Sequence, residues 1–168
     1  RCPYVMSIHN KVEEFLNKDY DIVIVGDRNH PEVIGINGHC DNKAYIINSE
    51  EEANDLPLFD RVCIVSQTTN RIEKFELLSE IVKNKAKEVQ LFNTICNATK
   101  VRQKSTEEVA KKVDAMLVIG GKNSSNTKKL VEISNKHCKN VFHIETIKDL
   151  SLQDIQIFNT IGITAGAS

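Results

Sequence analysis

Met116-Leu117-Val118-Ile119-Gly120 decides the fold of this chain, because the same pattern occurs 94 residues earlier, where residues 22–25 (IVIV) precede Gly26. Four apolar residues followed by glycine are typical of a strand that is buried on both faces of a parallel sheet. Cys96 and Cys2 stand at the same offset, each 24 residues before its glycine. The chain is therefore predicted to contain two copies of one unit that face a shared site.

Strand and helix patterns alternate on both sides of these two runs. Strands are predicted near residues 22–25, 44–47, 62–65, 89–92, 116–119, 141–144 and 160–163. Helices are predicted over 4–18, 72–82, 98–112 and 126–135, with shorter ones after Pro31 and Ser49. Gly35 and Gly38 are expected to break the helix that Pro31 opens, and Val101 is expected on the apolar face of the helix over 98–112.

This alternation predicts an α/β fold with a parallel sheet in each unit and right-handed crossovers. The units are predicted to comprise residues 1–93 and 94–168, with no low-complexity linker between them. In such sheets ligands bind at the carboxyl ends of the strands. Polar loops follow the strands there, at residues 27–32, 66–70, 121–126 and 164–168.

Composition narrows the class of protein. The 168 residues are 40% hydrophobic and 27% charged, with a formal net charge of -1. No basic stripe suggests nucleic-acid binding, and no apolar run approaches the roughly 20 residues that span a membrane. Five cysteines without a Cys-x-x-Cys pair argue against a disulfide scaffold or a zinc finger and indicate a reducing cytoplasm.

The stretch Asn123-Ser124-Ser125-Asn126 stands where a strand ends and a helix begins. Backbone N–H groups and hydroxyls at such a place favour an anion, so one interpretation is a phosphate or diphosphate site. The other is an ordinary helix N-cap. The chain has no Walker lysine motif and no Gly-x-Gly-x-x-Gly, which argues against the common nucleotide-binding modes.

Glu32 follows His30 by two residues in another strand-end loop. Its carboxyl group could deliver a proton in a dry pocket, or it could simply complement a helix N-terminus. His30 could orient an anion or cap the helix. The loops 67–69 and 166–168 could hydrogen-bond a ligand or only turn the chain.

Cys2 and Cys96 are candidate thiolate ligands, since thiolates bind iron–sulfur clusters and zinc. The alternative is that they are ordinary buried cysteines, but their equivalence in the repeat favours ligands. The remaining cysteines, Cys40, Cys63 and Cys138, are interpreted as structural. The histidines His9, His39, His137 and His143 show no partner spacing and are assigned to helix or strand surfaces.

Taken together, these motifs resemble the LytB/IspH family of 4-hydroxy-3-methylbut-2-enyl diphosphate reductases, which act last in the non-mevalonate isoprenoid pathway. The resemblance runs in order along the whole chain. It is carried by Cys2-Pro3-Tyr4-Val5, Gly26-Asp27, His30-Pro31-Glu32-Val33, Gly35, Gln67-Thr68-Thr69, Thr94-Ile95-Cys96, Ala98-Thr99, Arg102-Gln103, Gly120, Asn123-Ser124-Ser125-Asn126 and Thr164-Ala165-Gly166-Ala167-Ser168.

The resemblance implies a three-unit trefoil around a central cleft, in which one cysteine from each unit holds a [4Fe-4S] cluster. Cys2 and Cys96 match two of these ligands. Glu32 matches the acid that delivers protons, and Thr68 matches the hydroxyl near the oxygen that leaves. The family residues that bind the substrate, chiefly its diphosphate, are matched by His30, Ser124, Ser125, Asn126 and Ser168.

The implied reaction is a two-electron, two-proton reductive dehydroxylation that gives isopentenyl and dimethylallyl diphosphates, with a ferredoxin or flavodoxin as electron donor. The resemblance also implies that these 168 residues are the second unit and a C-terminally incomplete third unit. The first unit, with the third cysteine, is expected to precede Arg1, so low activity is expected of this piece alone. The alternatives are a phosphate-ligand binding module without redox chemistry and a purely structural fragment.

Overall fold

The structure is a computed structural model that describes residues 2–166. The chain divides into two compact units, one that ends at Cys96 and one that begins at Asn97. Both units are α/β with parallel strands, as the sequence predicts. Within the described range, no helix has the length and apolar character needed to cross a lipid bilayer.

The first unit is a four-stranded parallel sheet with helices on both faces. Its strand order is β2-β1-β3-β4. In chain order its elements are α1 (Pro3–Asn17), β1 (Asp21–Val25), α2 (Pro31–Gly38), β2 (Tyr45–Ile47), α3 (Glu50–Asn54), β3 (Phe59–Ser66), α4 (Ile72–Lys83) and β4 (Ala86–Leu91).

The core of this unit lies in two layers because neighbouring residues of a strand point to opposite faces of the sheet. Val23 and Val25 of β1 pack in one layer with Phe75 of α4. Ile22 and Ile24 pack in the other layer, with residues of α1 and α2. Complete burial of one such side chain contributes about 1.5–3 kcal/mol, so the apolar run in β1 supports both layers.

The second unit is a three-stranded parallel sheet in the order β6-β5-β7. In chain order its elements are α5 (Asn97–Ala110), β5 (Ala115–Ile119), α6 (Ser125–His137), β6 (Asn140–Ile144), a 3-10 turn (Ile147–Asp149), α7 (Leu152–Ile155) and β7 (Ile161–Ala165). The sequence does not predict the short turn or α7, since neither is long enough to show helical periodicity.

Two local predictions are wrong. Helix α2 continues through Gly35, because Val33 and Ile36 are fully buried and this packing outweighs the poor helix propensity of glycine. Val101 is 69% exposed rather than packed. Helix α5 instead buries a stripe of mainly polar residues, Thr99, Gln103, Thr106 and Ala110. One member of that stripe, Thr106, shares a 2.7 Å hydrogen bond with Thr164 of β7.

Candidate functional site

The two units share one backbone framework at the carboxyl ends of their strands. Gly26 N–H donates to the Ile47 carbonyl at 2.9 Å, and Gly120 N–H donates to the Ile144 carbonyl at 3.0 Å. The loop after the neighbouring strand is tied in the same way: Gln67 N–H donates to Val25, and Gly166 N–H donates to Ile119, both at 2.9 Å. The repeat read from the sequence is therefore present in three dimensions.

Glu32 and Thr68 are brought together in the first unit. The Thr68 N–H donates to Glu32 Oε1 at 2.6 Å, and the Thr68 hydroxyl donates to Glu32 Oε2 at 2.8 Å. Thr68 is buried and Glu32 half-buried. Hydrogen bonds to an ionised carboxylate are short and strong, so this pair fixes the orientation of the carboxyl group.

Glu32 reaches this place because it lies in the first turn of α2. Pro31 opens the helix, where its missing N–H costs nothing. His30 is the N-cap, and its Nδ1 accepts a hydrogen bond from Glu32 N–H at 3.2 Å. The negative charge of Glu32 in this turn complements the positive end of the helix dipole. Both interpretations of His30 and Glu32 thus begin from a capped helix start, and Glu32 has a specific partner in addition.

Thr68 also connects this carboxyl group to a candidate metal ligand, because its carbonyl accepts a hydrogen bond from Cys96 N–H at 3.1 Å. The loop that carries Cys96 is held on the end of β3 by Thr94. The Thr94 hydroxyl accepts from Ser66 N–H at 2.8 Å and donates to the Ser66 carbonyl at 2.6 Å. Ile95 is buried in the core layer that contains Val23 and Val25, which fixes the loop further.

Gln67 is a residue of this loop whose role sequence reasoning left open. Its side-chain Oε1 accepts from Asp27 N–H at 3.0 Å, and its Nε2 donates to the Thr69 hydroxyl at 3.2 Å. The side chain is 2% exposed. It thereby connects the loops after β1 and β3, which places Thr68 opposite Glu32. A buried glutamine between two polar loops gives no periodic signal in sequence.

The cysteines fall into two groups. Cys40, Cys63 and Cys138 are buried, as their structural interpretation requires, whereas Cys2 is exposed and Cys96 half-buried. Burial raises the pKa of the Cys40 thiol from 9.0 to about 12, helped by the charge of Asp41. Burial also raises the pKa of Cys63 to about 12, helped by Cys40. These two thiols resist forming the thiolate that metals and oxidants require.

Cys2 and Cys96, the two candidate ligands, each directly precede a long helix, α1 or α5. The N-terminus of a helix favours negative charge, which suits a thiolate. Residues 2–166 nevertheless contain no group of three or more histidine, cysteine, aspartate or glutamate side chains arranged for a metal ion. The donor set in this chain therefore fits a cluster in part, through two thiols.

The second unit presents a capped helix start. Ser124 is the N-cap of α6, and its hydroxyl accepts from Thr127 N–H at 3.2 Å. Ser125 and Asn126 form the first turn, with Asn126 buried. Both interpretations of this stretch remain compatible with the geometry, because the residues that cap the helix are also hydrogen-bond donors at its positive end. Ser168, predicted to bind substrate, lies outside the described residues.

Each of the four histidines assigned to helix or strand surfaces has a partner within the described residues. His9 and His39 stack with ring centroids 4.0 Å apart, and Nδ1 of His39 pairs with Glu13. His143 Nε2 bonds to the Gly120 carbonyl at 3.0 Å, and His137 pairs with Glu107. These partners come from separate helices and strands, so they cannot be read from spacing along the sequence.

Both units are parallel α/β units with polar residues at the strand ends. In the first unit these residues include a carboxylate, a threonine and a cysteine that hydrogen bonds connect. This arrangement defines the class of this protein. The profile of the LytB protein family matches residues 1–168. The chain belongs to the LytB protein family.

Its relatives include a protein of Caldanaerobacter subterraneus subsp. tengcongensis named 4-hydroxy-3-methylbut-2-enyl diphosphate reductase. The two are 56% identical over 167 residues, which cover 99% of this chain and 58% of that protein. The chain thus spans less than two thirds of the length of the relative it matches.

Two solved structures are also similar. One is (E)-4-hydroxy-3-methyl-but-2-enyl diphosphate reductase, described as the terminal enzyme of the non-mevalonate pathway, at 41% identity and a TM-score of 0.59 over 99% of this chain and 60% of that one. The other, E-1-hydroxy-2-methyl-but-2-enyl-4-diphosphate reductase from Plasmodium falciparum, has 31% identity and a TM-score of 0.92 over 99% and 54%.

Proposed function

We propose that this chain is the part of a 4-hydroxy-3-methylbut-2-enyl diphosphate reductase that supplies the proton-delivering acid, two cluster ligands and much of the diphosphate site. In the reaction the allylic C–O bond breaks and the oxygen leaves as water with one proton. Two electrons and the second proton form a C–H bond at either end of the allylic system. The products are isopentenyl and dimethylallyl diphosphates. The names of the relatives support this assignment.

The observation that carries the proposal is the connection from Glu32 through Thr68 to Cys96. Glu32 is the proposed acid. The proposed role of the Thr68 hydroxyl is to pass a proton between Glu32 and the leaving oxygen, and its 2.8 Å hydrogen bond to the Glu32 carboxylate supports this role. When Glu32 carries the proton, the direction of this hydrogen bond reverses and the hydroxyl can donate to substrate. The bond from Cys96 to the Thr68 carbonyl fixes the distance from this relay to the cysteine.

Cys2 and Cys96 are proposed as two ligands of a [4Fe-4S] cluster, with a third cysteine from a unit that this chain does not contain. When bound, such a cluster would supply electrons singly, received from a ferredoxin or flavodoxin. The described cysteines are free thiols, which fits a reducing cytoplasm.

The diphosphate is proposed to bind at the start of α6, through Ser124, Ser125 and Asn126, with Ser168 and His30 as further contacts. The first turn of a 13-residue helix lies at the positive end of the helix dipole, where an anion is favoured. Hydroxyl and amide donors there recognise phosphate oxygens without a fixed positive charge.

Glu32→Gln in the whole protein tests the proposal. After anaerobic reconstitution with iron and sulfide, we expect kcat to fall about 10²–10⁴-fold, the usual contribution of a positioned acid, while the cluster spectrum stays unchanged. The matched control is Glu50→Gln, an exposed carboxyl in the first turn of α3. Thr68→Ser should retain more activity than Thr68→Val, because serine keeps the hydroxyl.

Two results would reject the proposal. Unchanged turnover in Glu32→Gln would remove Glu32 as the acid. A whole protein that takes up no iron and sulfide but still binds inorganic diphosphate would instead be a phosphate-ligand binding module without redox chemistry.

A further inference from the structure

Thr127 lies between two strand-end glycines of the second unit. It is the third residue of α6 and is fully buried. A methyl group added to Gly120 would lie 2.3 Å from Thr127 Oγ1, and one added to Gly166 would lie 2.1 Å from the same atom. The Cα hydrogens of both glycines therefore point at this oxygen, which connects the ends of β5 and β7 to the first turn of α6.

The oxygen has an unusual environment. Thr127 Oγ1 is buried and has no hydrogen-bond partner within residues 2–166. A buried hydroxyl without a partner is costly, and valine would have the same shape without that cost. The contacts that the oxygen does make are of the Cα–H···O kind, which are weak individually but recur where backbones approach closely.

The first unit shows what valine does at this position. Val33 is the repeat equivalent of Thr127, and its Cγ2 lies 2.9 Å from a methyl group added to Gly26. In the second unit the corresponding distance, from Thr127 Oγ1 to a methyl group added to Gly120, is 2.3 Å. A methyl group is larger than an oxygen, so valine at position 127 would push the strand ends away from α6.

We propose that Thr127 is a positioning residue for the anion site at the start of α6, an inference that rests on the proposed function. Its oxygen sets the separation between α6 and the ends of β5 and β7. Its N–H, bonded to the Ser124 hydroxyl at 3.2 Å, fixes the orientation of that residue. The same spacing determines where Gly166 stands relative to Ser124 and Asn126.

Titration calorimetry of the 168-residue chain with inorganic diphosphate tests this role. Thr127→Val should weaken diphosphate binding about tenfold or more, since small displacements of a positioned group are costly. Thr127→Ser keeps the oxygen and should bind within about threefold of the unmodified chain. The control is Leu130→Val, a buried change one turn along α6 that should lower the unfolding temperature and leave the affinity unchanged.

The outcomes separate two failures. If Thr127→Val binds diphosphate as tightly as the unmodified chain, or if Leu130→Val weakens binding equally, the role of Thr127 is overturned and the anion site stands. If the unmodified chain binds no inorganic diphosphate, the anion site of the proposed function is overturned, and the role of Thr127 in it as well. Should Thr127→Val fail to fold, weakened binding in a folded Thr127→Ser chain would overturn the inference in its place.

Discussion

Gly26 and Gly120 end the central strands of the two units and make equivalent backbone hydrogen bonds, but different side chains fill the space beside them. Beside Gly26 stands Gln67, whose Cβ and Oε1 are each 2.9 Å from an added methyl group. The repeat equivalent of Gln67 is Gly166, and beside Gly120 the space is filled by Thr127. The first unit fills this space with the amide side chain of Gln67, from the loop after β3. The second unit has Gly166 in the equivalent loop and fills the space with Thr127, from helix α6.

The two units differ in their packing beside the glycine, and they also differ in the polar groups at the ends of their strands. In the first unit the Gln67 amide braces the loop, and Thr68 then holds a carboxylate, Glu32. In the second unit the equivalent loop residue is Gly166, and the Ser124 hydroxyl caps the start of α6 by accepting from Thr127 N–H. One backbone framework thus carries the proposed proton donor in one copy and the proposed anion site in the other.

The largest effect on stability is expected from Gly166→Ala, which tests the difference in packing between the two units. Its methyl group would meet Thr127 Oγ1 at 2.1 Å and the Thr127 backbone at 2.8 Å, and backbone cannot move aside cheaply. We expect a loss of about 3 kcal/mol or more in the free energy of unfolding, the upper range for overpacking. Urea unfolding followed by circular dichroism measures it.

Gly38→Ala is the control for that experiment. An added methyl group at Gly38 meets nothing within 4 Å, and alanine is the better helix former by about 0.5–1 kcal/mol. It should leave stability unchanged or raise it. Equal effects of the two substitutions would mean that the narrow gap beside Thr127 does not exist in solution.

A second test converts the first unit towards the second by Gln67→Gly. This change leaves a void and removes the acceptor of Asp27 N–H, so we expect a loss of about 2–3 kcal/mol from the cavity and the lost hydrogen bond. It also removes two of the three close contacts of an added methyl group at Gly26. Gly26→Ala should therefore cost less in the Gln67→Gly chain than in the unmodified one.

A double-mutant cycle measures this coupling, which should be about 1 kcal/mol in favour of the double variant. Additive costs would show that Gln67 and Gly26 do not share the space, and that the exchange between the units has no packing basis.

A third test uses strand β3, where the first unit has Cys63 and the second unit has its equivalent Gly162 in β7. Burial raises the pKa of Cys63 in the folded chain from 9.0 to about 12. Between these values the unfolded chain releases the proton and the folded chain keeps it. The contribution of Cys63 is therefore fully present below pH 9 and is lost as the pH rises towards 12.

We expect Cys63→Ala to flatten the decline of stability with pH in this window by up to about 1.4 kcal/mol for each pH unit. Urea unfolding at several alkaline pH values gives the slope. Val65→Ala, in the same strand and core layer, creates a cavity without removing a titrating group and should leave the slope unchanged. A Cys63→Ala chain with the original slope would contradict the prediction.

Sequence alone predicts the parallel sheets because residues 22–25 and 116–119 are apolar runs that only a doubly covered strand accommodates. It also predicts that the loops of Glu32 and Thr68 lie at the carboxyl ends of parallel strands, but the direct contact between them appears only in the structure. It fails at α5, where the buried face is polar, and hydrophobic periodicity cannot signal Thr99, Gln103 or Thr106.

Other failures have a geometric cause. The contact of Thr127 with Gly120 and Gly166 depends on tenths of an ångström between three separate elements, and no sequence pattern encodes such a distance. Likewise the stack of His9 on His39 arises where α1 and the end of α2 meet. Residue type indicates which side chains can form a contact, but the packing of helices on the sheet determines which residue each of them contacts.

The smallest expected effect concerns the caps of the two equivalent helices, His30 on α2 and Ser124 on α6. His30 Nδ1 accepts from Glu32 N–H, and Ser124 Oγ accepts from Thr127 N–H, both at 3.2 Å. Removing either cap with alanine should cost about 1 kcal/mol in unfolding free energy. Ser124→Asn should recover most of this, because asparagine is an equally good N-cap.

The two alanine variants nevertheless differ in what else they change. Loss of the His30 cap loosens the helix turn that holds Glu32 against Thr68, whereas loss of the Ser124 cap loosens the turn that holds Thr127. His30→Ala should therefore leave the amide exchange of Thr127 unchanged, and Ser124→Ala should leave that of Thr68 unchanged. Hydrogen exchange resolved by residue measures both, and equal acceleration at both positions in either variant would show that the two loops are not independent.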